Sequence, residues 1–166
     1  MVRVGSLIYG DVTKATDPEG VFLPVMKSFT SSVALVMHDV PPSTTVGYDS
    51  LYTTPAGRRS TLATVKVGYC NGYPRDAYTN GTEILIGGRR YPVVGKVSMN
   101  LLVADITSQD TARPIRIGDE VVLLGRQGKD MITMEELSAR NKLTTYELLL
   151  RLGNNNCTRV IRREER

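Results

Sequence analysis

Short runs rich in Val, Ile, Leu, Thr and Tyr recur along most of the chain, and clusters of turn-forming residues separate them. VMKSFTSSVALVMHDV, starting at Val25, reads as one or two strands ended by Pro41-Pro42. TVGYDSLYTT, TLATVKVGY, TEILIGG, RYPVVGKVS, LLVADIT and EVVLLG follow as further strands, divided by breaks such as PAGR, NG, GGRR, SQDTARP and RQGKD. Many short strands with polar breaks predict a mainly β fold, a closed Greek-key-like barrel or a sandwich.

The period changes near the C-terminus. Thr133-Met-Glu-Glu136 is a capping-box pattern ahead of LSARN, and Thr144-Thr-Tyr-Glu147 is a second ahead of LLLRL, which Gly153 is placed to terminate. Two short helices therefore close the domain. After residues 1–10, residues 11–24 read as a linker loop, 25–158 as the barrel and 159–166 as a basic tail.

Composition narrows the function classes. With 166 residues and 41% hydrophobic positions the chain can bury one sizeable core. Its net charge is +4, but RVIRREER holds four arginines against two glutamates, so half of the excess sits in the tail and no nucleic-acid face is implied. Cys70 and Cys157 lie far apart and in no metal-ligand spacing, which suits a reduced cytoplasmic protein. No stretch approaches the ~20 apolar residues of a membrane helix. His38 is the single histidine; it reads as a surface or strand-end residue, and no two-histidine metal site can be built.

VGYCNGYPR, Val67 to Arg75, contains more than a turn requires. Asn71 and Gly72 alone suit a tight hairpin, because both tolerate positive φ. By the period-two rule Ala63, Val65, Val67 and Tyr69 share one strand face, so Tyr69 is expected at the strand end with its hydroxyl at the rim of the core. On the residues alone, Tyr69 reads as a packing tyrosine and Met99 as a core methionine.

The whole chain resembles the C-terminal domain of alanine racemases, the pyridoxal-phosphate enzymes that interconvert L- and D-amino acids. MVRVG resembles the end of that family's (β/α) barrel, and LPVMKSFTSSV is similar to the strand that follows it. VGYDSLYT, VGYCNGYPR, YPVVGKVSM, IRIGDEVVLLGRQG and TTYELLLRLG resemble its successive signatures, and VGYCNGYPR joined to GKVSM is the most specific. The resemblance implies that Tyr69 is the second catalytic base, acting in the opposite subunit of a head-to-tail homodimer. It implies that Met99 contacts the substrate carboxylate through its backbone, and that Tyr146 binds the cofactor phosphate. Arg3 matches the arginine that faces the pyridine nitrogen, where a fixed cation leaves the ring a weaker electron sink. Gly5 and Ser6 match backbone positions near the phosphate. Asn100 stands where most alanine racemases carry Asp; with VGYD and GNNN it resembles the broad-specificity amino-acid racemase branch.

That chemistry also needs a lysine to carry the cofactor and act as the other base. The family's lysine lies in its N-terminal barrel, and Lys14, Lys27, Lys66, Lys96, Lys129 and Lys142 match no such position. The expectation is a domain inactive alone, whose partners are that barrel, a second subunit and an amino-acid substrate. A non-catalytic β-barrel serving binding or oligomerisation stands as the alternative, and an amino-acid decarboxylase of the same two-domain architecture as a weaker one.

Overall fold

The computed structural model describes residues 24–154 together with Gly5, Tyr9, Gly10 and Glu19. Nine strands precede two helices: β1 (Phe29–Val40), β2 (Thr45–Val46), β3 (Tyr52–Thr53), β4 (Ser60–Val65), β5 (Glu83–Ile86), β6 (Arg89–Val94), β7 (Leu102–Asp105), β8 (Glu120–Gln127), β9 (Asp130–Ile132), α1 (Met134–Arg140) and α2 (Thr145–Asn154). The expected mainly β fold with two closing helices is therefore observed.

The strands form an antiparallel ring. In space the order is β1-β4-β7-β6-β5-β8, and β8 pairs back onto β1. The long strand β1 makes this closure possible. Its first residues, Phe29 to Ser32, pair with β8, whereas Val33 to Val40 pair with β4. Register shifts between Val33 and Leu35 and between Met37 and Val40 bend the strand, as bulges do at barrel corners. The consecutive strands β5, β6 and β7 have β4 returning beside β7, which is Greek-key order.

Side chains from the ring and both helices fill one core. Val121 to Leu124 are all buried, so β8 is covered on both faces, by the ring interior on one and by neighbours such as Leu137, Leu148 and Leu152 on the other. This explains why EVVLLG reads as a continuous apolar run without alternation. At the β5–β6 hairpin Gly87 (φ 60°) and Gly88 (φ 77°) supply the positive φ that a two-residue turn requires.

Local differences from the sequence reading have identifiable causes. TVGYDSLYTT forms only the two-residue strands β2 and β3, with a 3-10 turn at Tyr48–Ser50 between them. RQGKD is not purely a break: β8 continues to Gln127 and β9 begins at Asp130, leaving Gly128 and Lys129 as the turn. The Thr144–Glu147 box is complete, with Glu147 N–H donating to Thr144 and Thr144 N–H to the Glu147 carboxylate. At Thr133 only the hydroxyl half forms, because the Glu136 carboxylate is turned toward Arg90 instead. Gly153 does not end α2, which continues through Asn154. His38 is exposed on β1 as expected.

Arg90 joins three elements at one end of the ring. From β6 its guanidinium reaches Asp130 at 2.9 Å, Glu136 at 2.6 Å and the Met131 carbonyl at 2.6 Å. The Arg90 guanidinium holds the Asp130 carboxyl below the ordinary carboxylate range. Arg90→Met is expected to lower the midpoint of urea unfolding at pH 7 by a modest amount, as partly exposed ion pairs do. A depressed folded-state value stabilises above the unfolded pKa of ~4, so this difference should shrink as pH falls below it, read by urea titrations at pH 7 and pH 3.

Candidate active site

The expected site residues begin where β4 ends. Val67 N–H turns back to the Val65 carbonyl, so the strand stops at Val65, and Tyr69–Asn71 form a 3-10 turn. This corrects two expectations. VGYCNGYPR contains no hairpin, and Tyr69 does not prolong the strand's apolar stripe. Only Gly72 takes a positive φ, 86°; Asn71 instead accepts a hydrogen bond from the Gly68 N–H through its side-chain oxygen. Tyr69 emerges 43% exposed, with the Arg75 guanidinium 5.4 Å from its ring centroid, within cation–π range. Tyr73 is buried and its hydroxyl has no hydrogen-bond partner among the described residues; burial raises its pKa.

The second signature, GKVSM, lies directly against this turn. Tyr69 N–H donates to the Ser98 carbonyl at 3.1 Å, Cys70 N–H to the Met99 carbonyl at 3.0 Å, and Val97 N–H to the Arg75 carbonyl at 3.3 Å. At Gly68 a Cβ would collide with the carbonyl oxygens of Ser98 and Met99, so only glycine permits the approach. Met99 is 53% exposed rather than a core residue, and its own N–H meets no acceptor among the described residues. Asn100 is exposed, and its side-chain oxygen lies 2.7 Å from the Cys70 sulfur.

A third turn lies beside Lys96 of the second signature, and periodicity gives Tyr48, at its start, no role. Tyr48 opens the 3-10 turn between β2 and β3 and is 66% exposed. Its neighbours Gly47, Asp49 and Ser50 all have left-handed φ, at 77°, 62° and 51°. Asp49 pairs with Lys96 at 2.9 Å; that hydrogen bond, then the lysine charge, holds its carboxyl below the ordinary range. The Tyr52 hydroxyl donates to Asp105 at 3.0 Å and so ties the hairpin to β7. Burial first, and Asp105 second, push the Tyr52 pKa up to about 12. The available signal was the Gly-Tyr-Asp triplet itself, in which turn-forming residues flank an aromatic.

Tyr146, on the first turn of α2, is exposed and lines a separate cleft of about 360 Å³ with Lys27, Met131, Thr133, Met134 and Glu135. Helix α2 links the two regions, because a Cβ at Gly72 would strike the Arg151 carbonyl and lie 2.8 Å from the Leu152 nitrogen. Residue 151 is five positions beyond 146, about 7.5 Å along a helix axis. Gly5 has φ 57°, while Arg3, Ser6 and Cys157 lie outside the described residues, as do the tail and most of the linker. Among the described residues no group of His, Cys, Asp or Glu could hold a metal ion, and no helix is long and apolar enough to cross a membrane.

Residues 26–161 match the family described as "Alanine racemase, C-terminal domain". The broad specificity amino-acid racemase of Pseudomonas taetrolens is 44% identical over 156 residues, which is 94% of this chain and 36% of that protein. The lysine racemase of Proteus mirabilis is 44% identical over 137 residues, 82% of this chain and 31% of its own length. The crystal structure of alanine racemase from Bartonella henselae with covalently bound pyridoxal phosphate superposes with a TM-score of 0.76 at 28% identity, covering 91% of this chain and 39% of that one. The chain thus spans about a third of the length of these relatives. It belongs to the family of alanine racemase C-terminal domains.

Proposed function

We propose that this domain works as the C-terminal part of a longer pyridoxal-phosphate amino-acid racemase of broad substrate range. Its rim of turns would complete an active site whose other wall is a (β/α) barrel of the partner subunit in a homodimer. The observation that carries this reading is the convergence of Tyr48, Tyr69, Met99 and Asn100 on one rim, beside a Met99 N–H that has no acceptor among the described residues. Exposed Tyr48, Leu51, Tyr69, Met99 and Leu101 give that rim the apolar character of a surface covered in an assembly.

The cofactor fits at one corner. Tyr146 presents an exposed phenol with no hydrogen-bond partner among the described residues, in a cleft also lined by Lys27, a donor set suited to a phosphate. Arg3, Gly5 and Ser6 would complete its binding by resemblance. Pyridoxal phosphate, when bound, acts as an electron sink that makes the hydrogen on the substrate's α-carbon acidic. The chain's own contributions are then three: the Met99 N–H orients the substrate carboxylate, a tyrosine oxygen carries a proton to or from one face of the α-carbon, and the apolar rim excludes water.

Two phenols compete for the proton-transfer role. Tyr69 is the residue that the resemblance assigns. Tyr48 has the stronger geometric claim: it is the most exposed of the large apolar and aromatic residues on the described surface, and its turn is pinned to Lys96, next to the Met99 loop. In the longer enzyme, α-deuterium exchange followed separately for each enantiomer distinguishes them. Tyr48→Phe should cost at least ~100-fold in exchange from the L-enantiomer, within the range of lost acid–base catalysis, and Tyr69→Phe less than ~10-fold. The opposite order would return the role to Tyr69, and full exchange in both variants would remove tyrosine catalysis from this rim.

The 166-residue chain alone should neither racemise alanine nor hold pyridoxal phosphate stoichiometrically, because none of its lysines matches the cofactor-bearing position. Borohydride trapping followed by peptide mapping checks this; one specific lysine adduct together with racemisation would contradict it.

Asn100 bears on substrate range. An aspartate there would repel anionic side chains and bind cationic neighbours, whereas asparagine adds no charge. Asn100→Asp should disfavour anionic side chains relative to alanine by about 1–3 kcal/mol of discrimination. The readout is a panel of kcat/KM values for L-alanine, L-glutamate, L-lysine and L-methionine in the longer enzyme, and an unchanged panel would leave Asn100 without this role.

A further inference from the structure

The turn that carries Tyr48 takes a backbone that glycine and aspartate tolerate but serine does not favour. Asp49 and Ser50, neither of them glycine, are consecutive left-handed residues with φ of 62° and 51°. At Ser50 such backbone persists only where the surroundings over-determine it. The surroundings here are backbone contact and charge. A Cβ at Gly95 would lie 2.9 Å from the Val46 carbonyl, and one at Gly47 3.5 Å from the Lys96 nitrogen, so the hairpin and the start of GKVSM touch along their main chains. The Asp49 carboxylate then meets the Lys96 ammonium at 2.9 Å and lies within electrostatic range of Arg75, whose guanidinium faces the Tyr69 ring at 5.4 Å. Asp49 therefore pairs with the cation at the base of the Met99 loop, and the cation beside the other rim tyrosine lies in its field without pairing to it.

We propose that Asp49 is a positioning residue for the racemase reaction: by pairing with Lys96, it locks the turn of Tyr48 into one fixed arrangement against the Met99 loop. This rests on the functional reading above. Asp49 touches no reacting atom; it sets where the Tyr48 phenol stands. A misplacement of about 1 Å at a proton-transfer group is enough to cost up to ~100-fold in rate. Binding of the substrate carboxylate at the Met99 N–H depends less on the hairpin, so the effect should fall on kcat.

The test uses the longer holoenzyme with Asp49→Asn, Asp49→Gly, Lys96→Met, Lys96→Arg and the double variant Asp49→Asn/Lys96→Met. Asparagine keeps the shape and the tolerance for left-handed φ while removing the charge; glycine relaxes the backbone and removes the charge as well. The expected result is a kcat at least ~10-fold lower in Asp49→Asn, Asp49→Gly and Lys96→Met, with KM within ~3-fold and Tm nearly unchanged. Lys96→Arg should keep most of kcat, and the double variant should be no more than ~2-fold worse than the worse single, as partners in one interaction behave. Unchanged kcat in Asp49→Asn overturns the proposal, as does recovery in Asp49→Gly, which would make the turn a matter of backbone alone. Losses that multiply in the double variant overturn it too. Should Lys96→Met unfold, Asp49→Asn and Asp49→Gly still decide. The Tyr48→Phe and Tyr69→Phe enzymes run alongside separate the two levels: if either loses exchange while the Asp49 variants keep kcat, only the positioning role fails, and if neither loses exchange, the functional reading itself fails.

Discussion

The contact on which the site depends is a backbone-to-backbone approach at Gly68. A side chain there would occupy the space of the Ser98 and Met99 carbonyls, so the Tyr69 turn and the Met99 loop can share hydrogen bonds only because that position is glycine. Gly72 performs the same service against α2, and Gly95 against the hairpin that carries Tyr48. Three turns and a helix are thereby drawn together by close main-chain packing. Main-chain contacts leave side chains free to face outward, and the exposure of Tyr48, Tyr69 and Met99 follows from this.

The antiparallel ring supplies the rigidity beneath. Its closure through the bent strand β1 leaves none of the six ring strands with an open edge, and the buried face of β8 fastens both helices to the same core. The functional turns leave from the ends of β4, β6 and the β2–β3 hairpin, so each is anchored at its base by a paired strand. Arg90 and its carboxylates do comparable work at β9 and α1, which its guanidinium ties to β6. Loops carrying chemistry on a rigid scaffold are the expected division of labour.

Much of this was legible in the sequence. Strand runs and their breaks placed most of the ring, and the Thr144 capping box gave the start of α2, because such local signals act through neighbouring residues. What failed was what tertiary contact decides. Alternation carried the β4 stripe on to Tyr69, whereas the chain leaves the ladder after Val65 to meet Ser98, a residue distant in sequence. Asn71-Gly72 looked like a hairpin because the dipeptide often is one, but here the asparagine side chain closes a 3-10 turn. Met99 read as core from its apolar neighbours, and only the folded register turns it outward. Of the site, VGYCNGYPR and GKVSM, the most specific runs of the resemblance, lie against each other in the fold. Tyr48 has no periodic signal, because only a two-residue strand stands on either side of its turn.

The most direct measurement of the central idea, that this rim is one wall of a racemase active site, is a crystal structure of the longer enzyme with pyridoxal phosphate and a substrate analogue. The expected result has a rim phenol within about 3.5 Å of the analogue's α-carbon and the Met99 N–H within hydrogen-bond distance of its carboxylate, contacts needed for proton transfer and orientation. A structure in which the turns at Tyr48, Tyr69 and Met99 face solvent, with the cofactor enclosed by other residues, would contradict it.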